Sequence, residues 1–501
     1  MLFSDLLSKI KYEGSFIDRE VSHVTNNSSE ADGGSVFVCI KGFTTDGHLF
    51  APYAYARGCR CFVSSEPLTS LPSDASCVTV EDTREALARL SCAIWNDPSH
   101  ELSVIGITGT KGKTTSALMI MQTLEKAGIP TGYIGSNGII YGGNKLESPN
   151  TTPESCKLQY YLRKMADSGI RAVAMEVSSQ ALELKRTLGV RFSACIFTNL
   201  SPDHIGRGEH PDFESYFQAK KRLFSEYECK TVIANADDPH TKRILEDCRC
   251  ERIFYSISSP SDLVANDIRL YRTDSMLGIS FSYPSDEKNV FCTLPIPGDF
   301  NVYNALSTIA AVKLFGLKDD QISDFLSQVS IDGRFETLVT PSSACFVIDY
   351  AHNGLSLSAV LDALRKYEPR RLICLFGSVG CRTQIRRFQM GDAAAKLADL
   401  SILTSDNPDT EDPLAIINDI ASQFKSKDSY VTIPDRREAI EYAYSIAKGG
   451  DIVLLAGKGH EKYQYISGKR IYFCEREIIE DCIRAETSQR RSREDTYVKG
   501  S

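Results

Sequence analysis

Short, continuous apolar runs alternate along this chain with segments of helical periodicity, and this alternation restricts the fold more than any other feature. One set of runs is "LSVIGIT", "RAVAMEV", "SACIFTNL" and "KTVIANA"; a second is "ACFVIDYA", "RRLICLFG", "LSILTSD" and "DIVLLAG". A strand apolar on both faces has to be covered on both, and strands joined through helices run parallel. Each set therefore predicts a mostly parallel sheet with helices on either side, an α/β fold. Ligands of such sheets bind beyond the carboxyl ends of the strands. Here those ends read "GTKGKTT", "EVSSQ", "TNLSPDH", "NADDP" and then "DYAHN", "GSVGCR", "TSDNPD", "AGKGHE", which predicts two half-sites facing one another.

With roughly 100–200 residues per domain, 501 residues suggest three. The first domain, 1–100, opens with a short amphipathic helix in "MLFSDLLSKIKYEG" and closes where the helix "TREALARLSCAIW" meets the stop signal "NDPSH". The central domain, 101–333, holds the first set of runs, a β-rich stretch at 262–297 and the helix "NVYNALSTIAAVKLFGL". A Gly-containing break, "IDGRFE", opens the C-terminal domain, 334–485, and the polar tail 486–501 reads as disordered. The net charge of -8 is spread along the chain, which disfavours a nucleic-acid binder. Sixteen cysteines lie singly in apolar runs and read as buried free thiols of a reducing compartment. The C-x-C pairs Cys59/Cys61 and Cys248/Cys250 lack the second half of a zinc site. No cationic leader and no apolar run of about 18 residues is present, so a cytoplasmic protein with no membrane contact is expected.

"VIGITGTKGKTTSALMIMQTLEKAG" places an apolar strand before a glycine-rich loop, and Lys113-Thr114-Thr115 opens a helix with Ala117, Ile120, Met121 and Leu124 on one face. Glycines let backbone N–H groups close on phosphate, the helix N-terminus adds its dipole and Lys113 a point charge. The Thr114 hydroxyl is placed to ligate Mg²⁺. The strict P-loop has four residues between its first Gly and the Gly-Lys pair, whereas Gly106 leaves five before Gly112. Gly109, Thr110, Lys111, Gly112, Lys113, Thr114 and Thr115 are the expected nucleotide-binding residues. Glu176 and His204, a carboxylate and an imidazole at neighbouring strand ends, are suitable Mg²⁺ ligands beside a triphosphate.

In this order, "NTTPES", "MEVSSQALELKR", "FTNLSPDH", "YFQAKKRLF", "NADDP", "GDFNVYNALSTIAA", "DGRFE", "DYAH", "SDNPDTEDP" and "AGKGHE" resemble the Mur ligase family, most of all its branch that adds the third peptide residue. The resemblance covers about residues 20–480. It implies a UDP-sugar-binding first domain, a central ATPase domain and a C-terminal Rossmann-like domain that brings an amino acid. It also implies an ATP-dependent ligase of peptidoglycan precursor synthesis, with an acyl phosphate forming on UDP-N-acetylmuramoyl-L-alanyl-D-glutamate. Lys113 and two Mg²⁺ would meet the charge developing on the phosphoryl group. By resemblance, Lys220 becomes carbamylated and serves as a metal ligand with Thr114, Glu176 and His204. Lys113, Lys220 and His204 are its catalytic residues. Ser28, Thr151, Thr152, Ser178 and Arg186 hold the nucleotide-sugar peptide, and Asn301, Arg334 and Asp349 contact ATP. Arg382, Asp406, Asn407, Asp409 and Glu461 receive the amino acid. Domain closure over ATP and a monomer acting on small molecules complete the expectation.

Several ligand-facing positions depart from the family. Asn27-Ser28-Ser29 stands where Asp-Ser-Arg is usual, Lys111 replaces an Asn, Gln180 a His, and Gly380-Cys381-Arg382-Thr383 stands where Gly-Gly-Asp-Arg-Asp is usual. These leave open a paralogue that joins a different amine to a different carboxylate. A folylpolyglutamate synthase and a nucleotide binder without catalysis are further alternatives. Members that take meso-diaminopimelate place an Arg after "DNP", where this chain has Asp409 with Glu411 nearby. An acid opposes a distal carboxylate, so a diamino acid ending in an amine is expected, L-lysine first and ornithine second.

Overall fold

The computed structural model describes every residue except Thr44, His204, Arg207, Gly208, Asp274, Ser275, Asp286, Glu287, Gly500 and Ser501, with side chains described up to Ser488. The chain forms two compact units, Met1–Val264 with Tyr303–Ile322, and Ala265–Val302 with Ser323–Ser501. The segment 265–302, which the sequence groups with the central domain, thus packs in the second unit.

The first unit holds two sheets. Strands His23–Thr25, Ser35–Val38, Cys61–Ser64 and Ser76–Thr79 form a parallel sheet in chain order. The helix Thr83–Ile94 covers it with Ala86, Leu87 and Leu90. This helix starts where the Asp82 carboxylate accepts from Arg84 N and Glu85 N, satisfying two N–H groups the first turn leaves open. It stops at Asn96 and Asp97, both with positive φ.

A nine-stranded sheet follows, in the order Leu263–Val264, Glu251–Ser256, Cys229–Asn235, Phe192–Phe197, Ser103–Thr108, Ala172–Glu176, Thr131–Gly135, Gly138–Tyr141, Asn144–Leu146. All neighbours are parallel except the last two pairs, which make an antiparallel edge. Strand Ser103–Thr108 lies in the middle, and every residue after Ser103 is buried. That burial is why the sequence shows an unbroken apolar run rather than an alternating one. In the helix Lys113–Lys126, Ala117, Ile120 and Leu124 are buried as expected, whereas Met121 is half-exposed.

The second unit begins with an antiparallel sheet, Asn266–Arg272, Leu277–Pro284 and Asn289–Leu294. Its main sheet runs Glu336–Val339, Cys345–Asp349, Ile452–Ala456, Leu372–Phe376, Leu400–Leu403, Tyr430–Thr432, parallel except for the first pair. The segment expected to be disordered from 486 instead continues the helix Glu475–Lys499. Its many Glu, Arg and Gln residues are good helix formers, and the Tyr444 hydroxyl donates to Glu486 at 2.5 Å. Among the described residues, no helix is long and apolar enough to cross a membrane.

Asp451 anchors the start of the strand Ile452–Ala456, which leads into Lys458 and Glu461. Its fully buried carboxylate accepts from Arg370 Nε (2.9 Å), Arg371 Nη2 (2.7 Å) and Lys448 N (3.0 Å). Burial pushes this carboxyl up, but the bonds from Arg371 and Arg370 outweigh it and hold the pKa below the ordinary aspartate value. The stabilisation is therefore complete at neutral pH and is lost as pH falls from about 4 through the folded-state pKa. Asp451→Ala should cost about 2–3 kcal/mol at pH 7, read as a lowered Tm. The difference from the parent should shrink below about pH 4.

Candidate active site

Strand Ser103–Thr108 delivers the chain into the loop 109–112, and the adjacent strand Phe192–Phe197 delivers the residues that hold this loop. Thr198 Oγ1 donates to Lys111 O at 2.7 Å, Asn199 Oδ1 accepts from Lys111 N at 2.9 Å, and Thr110 N donates to Asn199 O at 2.9 Å. Gly109 has φ 151°, and a Cβ there would stand 1.9 Å from Thr198 Oγ1. Gly112, φ 87°, precedes the helix Lys113–Lys126 and provides no side-chain cap. The first-turn N–H groups of that helix are thus presented as an anion-binding end. Lys113 Nζ donates to the carbonyls of Gly109 (2.8 Å) and Thr110 (3.1 Å), inside its own loop. The Lys111 ammonium, in place of the usual amide, pairs with Asp203 at 3.1 Å. Thr114 and Thr115 are buried in the first turn.

The helix Phe213–Ser225 brings Lys220 beneath the same loop. Its Nζ donates to Gly109 O at 2.9 Å and lies 4.6 Å from the Tyr216 ring, whose hydroxyl shares a 3.1 Å hydrogen bond with Thr110 Oγ1. Burial, and then the charge of Lys113, push the Lys220 pKa well below that of an ordinary lysine.

Glu176 ends its strand with a buried carboxylate that accepts from Tyr133 OH (2.6 Å) and Ser136 N (2.9 Å). Gly135 permits this, since a Cβ there would lie 2.3 Å from Glu176 Oε1. Beside it, Ser136 Oγ and Thr151 Oγ1 are 3.1 Å apart, Thr152 Oγ1 donates to Glu176 O at 2.8 Å, and Ser178 caps the helix Ser179–Glu183. Arg186 donates to Thr152 O and ion-pairs with Glu154 at 2.8 Å. The expected acceptor residues Thr151, Thr152, Ser178 and Arg186 are therefore brought together with Glu176. Ser28 lies in the loop after the first sheet's first strand, in a turn capped by Asn27, which accepts from Ser29 N at 3.0 Å; Glu30 of this turn pairs with Lys157 at 2.8 Å, on the helix that follows Thr152. The Asn of "NSS" thus has a structural task. The expected ligand His204 lies outside the described residues.

In the second unit, Asn301 is buried with Nδ2 on Pro297 O at 2.7 Å. The Arg334 guanidinium lies 5.0 Å over the Tyr350 ring, and Asp349 accepts from Phe335 N at 3.0 Å. Strand ends Leu400–Leu403 and Ile452–Ala456 bring together Asp406, Asn407, Lys458 and Glu461. Fully buried Lys458 donates to Asn407 Oδ1 and Glu461 Oε2, both at 2.9 Å, and lies 3.4 Å from Asp406 Oδ1. Asn407 Nδ2 donates to Glu461 Oε2 at 3.1 Å, and Tyr350 OH donates to Glu461 Oε1 at 3.3 Å. Gly457, φ 111°, admits the Asp406 carboxylate, which a Cβ there would meet at 2.8 Å.

The loop Gly380–Thr383 lies along this cluster through Gly380 N on Asn407 O at 2.8 Å, while Arg382 itself is exposed. Glu411, expected beside Asp409 as a second acid, is taken up by the buried Arg387 at 2.6 Å. Asp409 is half-exposed with φ 55°, its N–H on Tyr465 O at 2.9 Å. Sequence reasoning missed Lys458, Tyr350, Tyr133 and Asn199. The signal for Lys458 was its place in "AGKGHE", at a strand end already rich in acids and imidazole.

A strand–glycine loop–helix phosphate cradle in one parallel sheet, and an amide–carboxylate cluster at the strand ends of another, define a nucleotide-dependent ligase. Residues 20–95 match "Mur ligase family, catalytic domain", 107–312 "Mur ligase middle domain" and 333–459 "Mur ligase, glutamate ligase domain". The chain is 37% identical over 487 residues to the UDP-N-acetylmuramoyl-L-alanyl-D-glutamate-2,6-diaminopimelate ligase of Clostridium botulinum, spanning 96% of this chain and 99% of that one. It is 38% identical over 467 residues to the enzyme of the same name from Geobacillus thermodenitrificans, covering 91% and 94% of the two chains. A solved structure of a ligase with that name superposes with a TM-score of 0.68 at 29% identity, covering 93% of this chain and 95% of that one. The fold also matches a MurF ligase of Thermotoga maritima in complex with ADP, TM-score 0.59 at 17% identity over 87% and 94% of the chains. The chain belongs to the Mur ligase family, ATP-dependent enzymes that form peptide bonds.

Gly109→Ala should weaken ADP binding at least about tenfold, measured by titration calorimetry, because its methyl group collides with the Thr198 hydroxyl that holds the loop. The Tm should fall by no more than a few degrees.

Proposed function

We propose that the protein adds a diamino acid to UDP-N-acetylmuramoyl-L-alanyl-D-glutamate in peptidoglycan precursor synthesis. The observation that carries this reading is the near full-length similarity to ligases named for that acceptor. The polar cluster of Thr151, Thr152, Ser178 and Arg186 beside Glu176 supports it, being suited to a peptide acceptor next to a phosphate cradle. In this reading the D-glutamate carboxylate takes the γ-phosphoryl group and ADP leaves. The amine of the incoming amino acid then attacks the acyl carbonyl and phosphate departs. Thr114, Glu176 and carbamylated Lys220, with His204, which lies outside the described residues, would hold two Mg²⁺, which would neutralise phosphoryl charge. Lys113 leaves its own loop's carbonyls to meet the phosphates, while Asn301, Arg334 and Asp349 receive the nucleoside end of ATP. Ser28 contacts the uridine. The enzyme works as a cytoplasmic monomer, with a UDP-sugar domain, an ATP domain and an amino-acid domain divided near 100 and 334.

For the amino acid, the side chains favour L-lysine, with ornithine second. Arg382 and Asn407 would take the α-carboxylate side and Asp406, Glu461 and Asp409 the amines. An Asp409 carboxylate facing a distal carboxylate is repulsive. The names of the relatives favour a second reading, diaminopimelate, in which Asp409 reads nothing and serves only its positive-φ turn.

ADP release with ATP, Mg²⁺ and the UDP-muramoyl dipeptide should depend on lysine or ornithine and not on meso-diaminopimelate. Preference for diaminopimelate would remove the role of Asp409 and keep the reaction. In the lysine case, Asp409→Arg should shift the preference towards diaminopimelate by about tenfold or more, on the order of one charge pair. For Lys220, ¹³C-bicarbonate should give a carbamate signal that is missing in Lys220→Ala, whose kcat should fall about 100-fold or more.

A further inference from the structure

Lys458 is fully buried in the amino-acid half-site; its ammonium meets carboxylate and amide oxygens and lies 5.3 Å over the Tyr463 ring. Lysine has three N–H donors, and three oxygens meet them, on Asp406, Asn407 and Glu461. Two consequences follow. The Asn407 amide can stand in one orientation only, its oxygen towards Lys458 and Tyr465 N and its NH₂ towards Glu461. The two carboxylates, which would repel each other across this short distance, are left with a single net negative charge.

A pocket of net charge −1 suits one ammonium group, and one with a fixed amide suits one orientation of it. Beneath the cluster, Arg436 reinforces the arrangement. It is also fully buried and bonds Ser405 O at 3.0 Å and Ala456 O at 2.8 Å, tying together the two strand ends that carry Asp406 and Lys458.

Resting on the reading of this cluster as the amino-acid half-site, we propose that Lys458 is a positioning residue. It sets the charge of the pocket and the orientation of Asn407 and Glu461, and so determines how the amine of the incoming amino acid is held. It makes no contact with ATP in this proposal and takes no part in proton transfer.

Lys458→Met removes the cation and keeps the chain length. Its KM for the amino acid should rise tenfold or more at pH 8, while kcat and the KM for ATP stay within threefold of the parent. The buried Arg436 behind the cluster is neutralised by Glu475, so the uncompensated Asp406 and Glu461 can relieve their repulsion by taking up a proton, and the KM of this variant should fall between pH 8 and pH 6, where the parent's is flat. The double variant Lys458→Met/Glu461→Gln restores the net charge without the cation. It should lose the pH dependence, and it remains testable if the single variant fails to fold, since it buries no excess charge. Overturning results are an unchanged amino-acid KM in both variants, a KM for ATP that rises in step with it, or a pH dependence in the double variant equal to that of the single one. A parent enzyme that releases no ADP with any diamino acid defeats the functional reading itself, and the proposal with it. In that case the parent would still bind ADP.

Discussion

Parallel strands covered on both faces have no solvent along their length, so their polar chemistry is confined to the edge where the chain leaves the sheet. In both units the polar clusters obey that constraint. Lys113, Glu176 and the loop-holding Asn199 follow three neighbouring strands of one sheet, and Asp406 and Lys458 follow two strands of the other. The same constraint makes the interior apolar enough that burial, with the charge of Lys113, pushes the pKa of Lys220 well below that of an ordinary lysine.

The two half-sites solve their charge problems differently. Around the phosphate loop, the ammonium of Lys113 rests on backbone carbonyls, dipoles that a phosphate can replace. In the second unit, the charges are held by one another, through Lys458 between two carboxylates and Arg387 between Glu411 and Asp419. The first arrangement is poised to exchange partners on binding. The second is a fixed frame, in which breaking one pair leaves its partner stranded.

How much of this was legible in the sequence follows from range. The strand runs, the glycine loop, the capped helix after Asp82 and the β-rich stretch before Asn301 depend on neighbours a few residues away, and they stand where the pattern put them. Contacts between distant segments were not legible. The sequence shows Glu411 as an acid near Asp409 and does not show its partner Arg387, 24 residues upstream. Lys458 was passed over for the related reason that loop lysines are normally solvated. The tail seemed too polar to fold, yet Glu486 meets the Tyr444 hydroxyl of an earlier helix. Of the residues expected at the acceptor, Thr151, Thr152, Ser178 and Arg186 converge around Glu176, whereas Ser28 lies in the turn Ser28–Glu30 after the first strand.

The break "IDGRFE" looked like a linker, and its structure is that of a corner stone. Gly333 packs so closely that a Cβ would stand 2.0 Å from His460 N, its N–H is bonded to Glu336 at 2.6 Å, and Phe335 is held at φ 48° with its N–H on Asp349. A non-glycine residue keeps such a backbone only where its surroundings impose it. Dissecting the chain at 334 to express the C-terminal segment alone would therefore remove the peptide that positions Phe335, whose N–H Asp349 accepts. A useful excision has to begin upstream of the break, so that the corner is carried along with the sheet it completes.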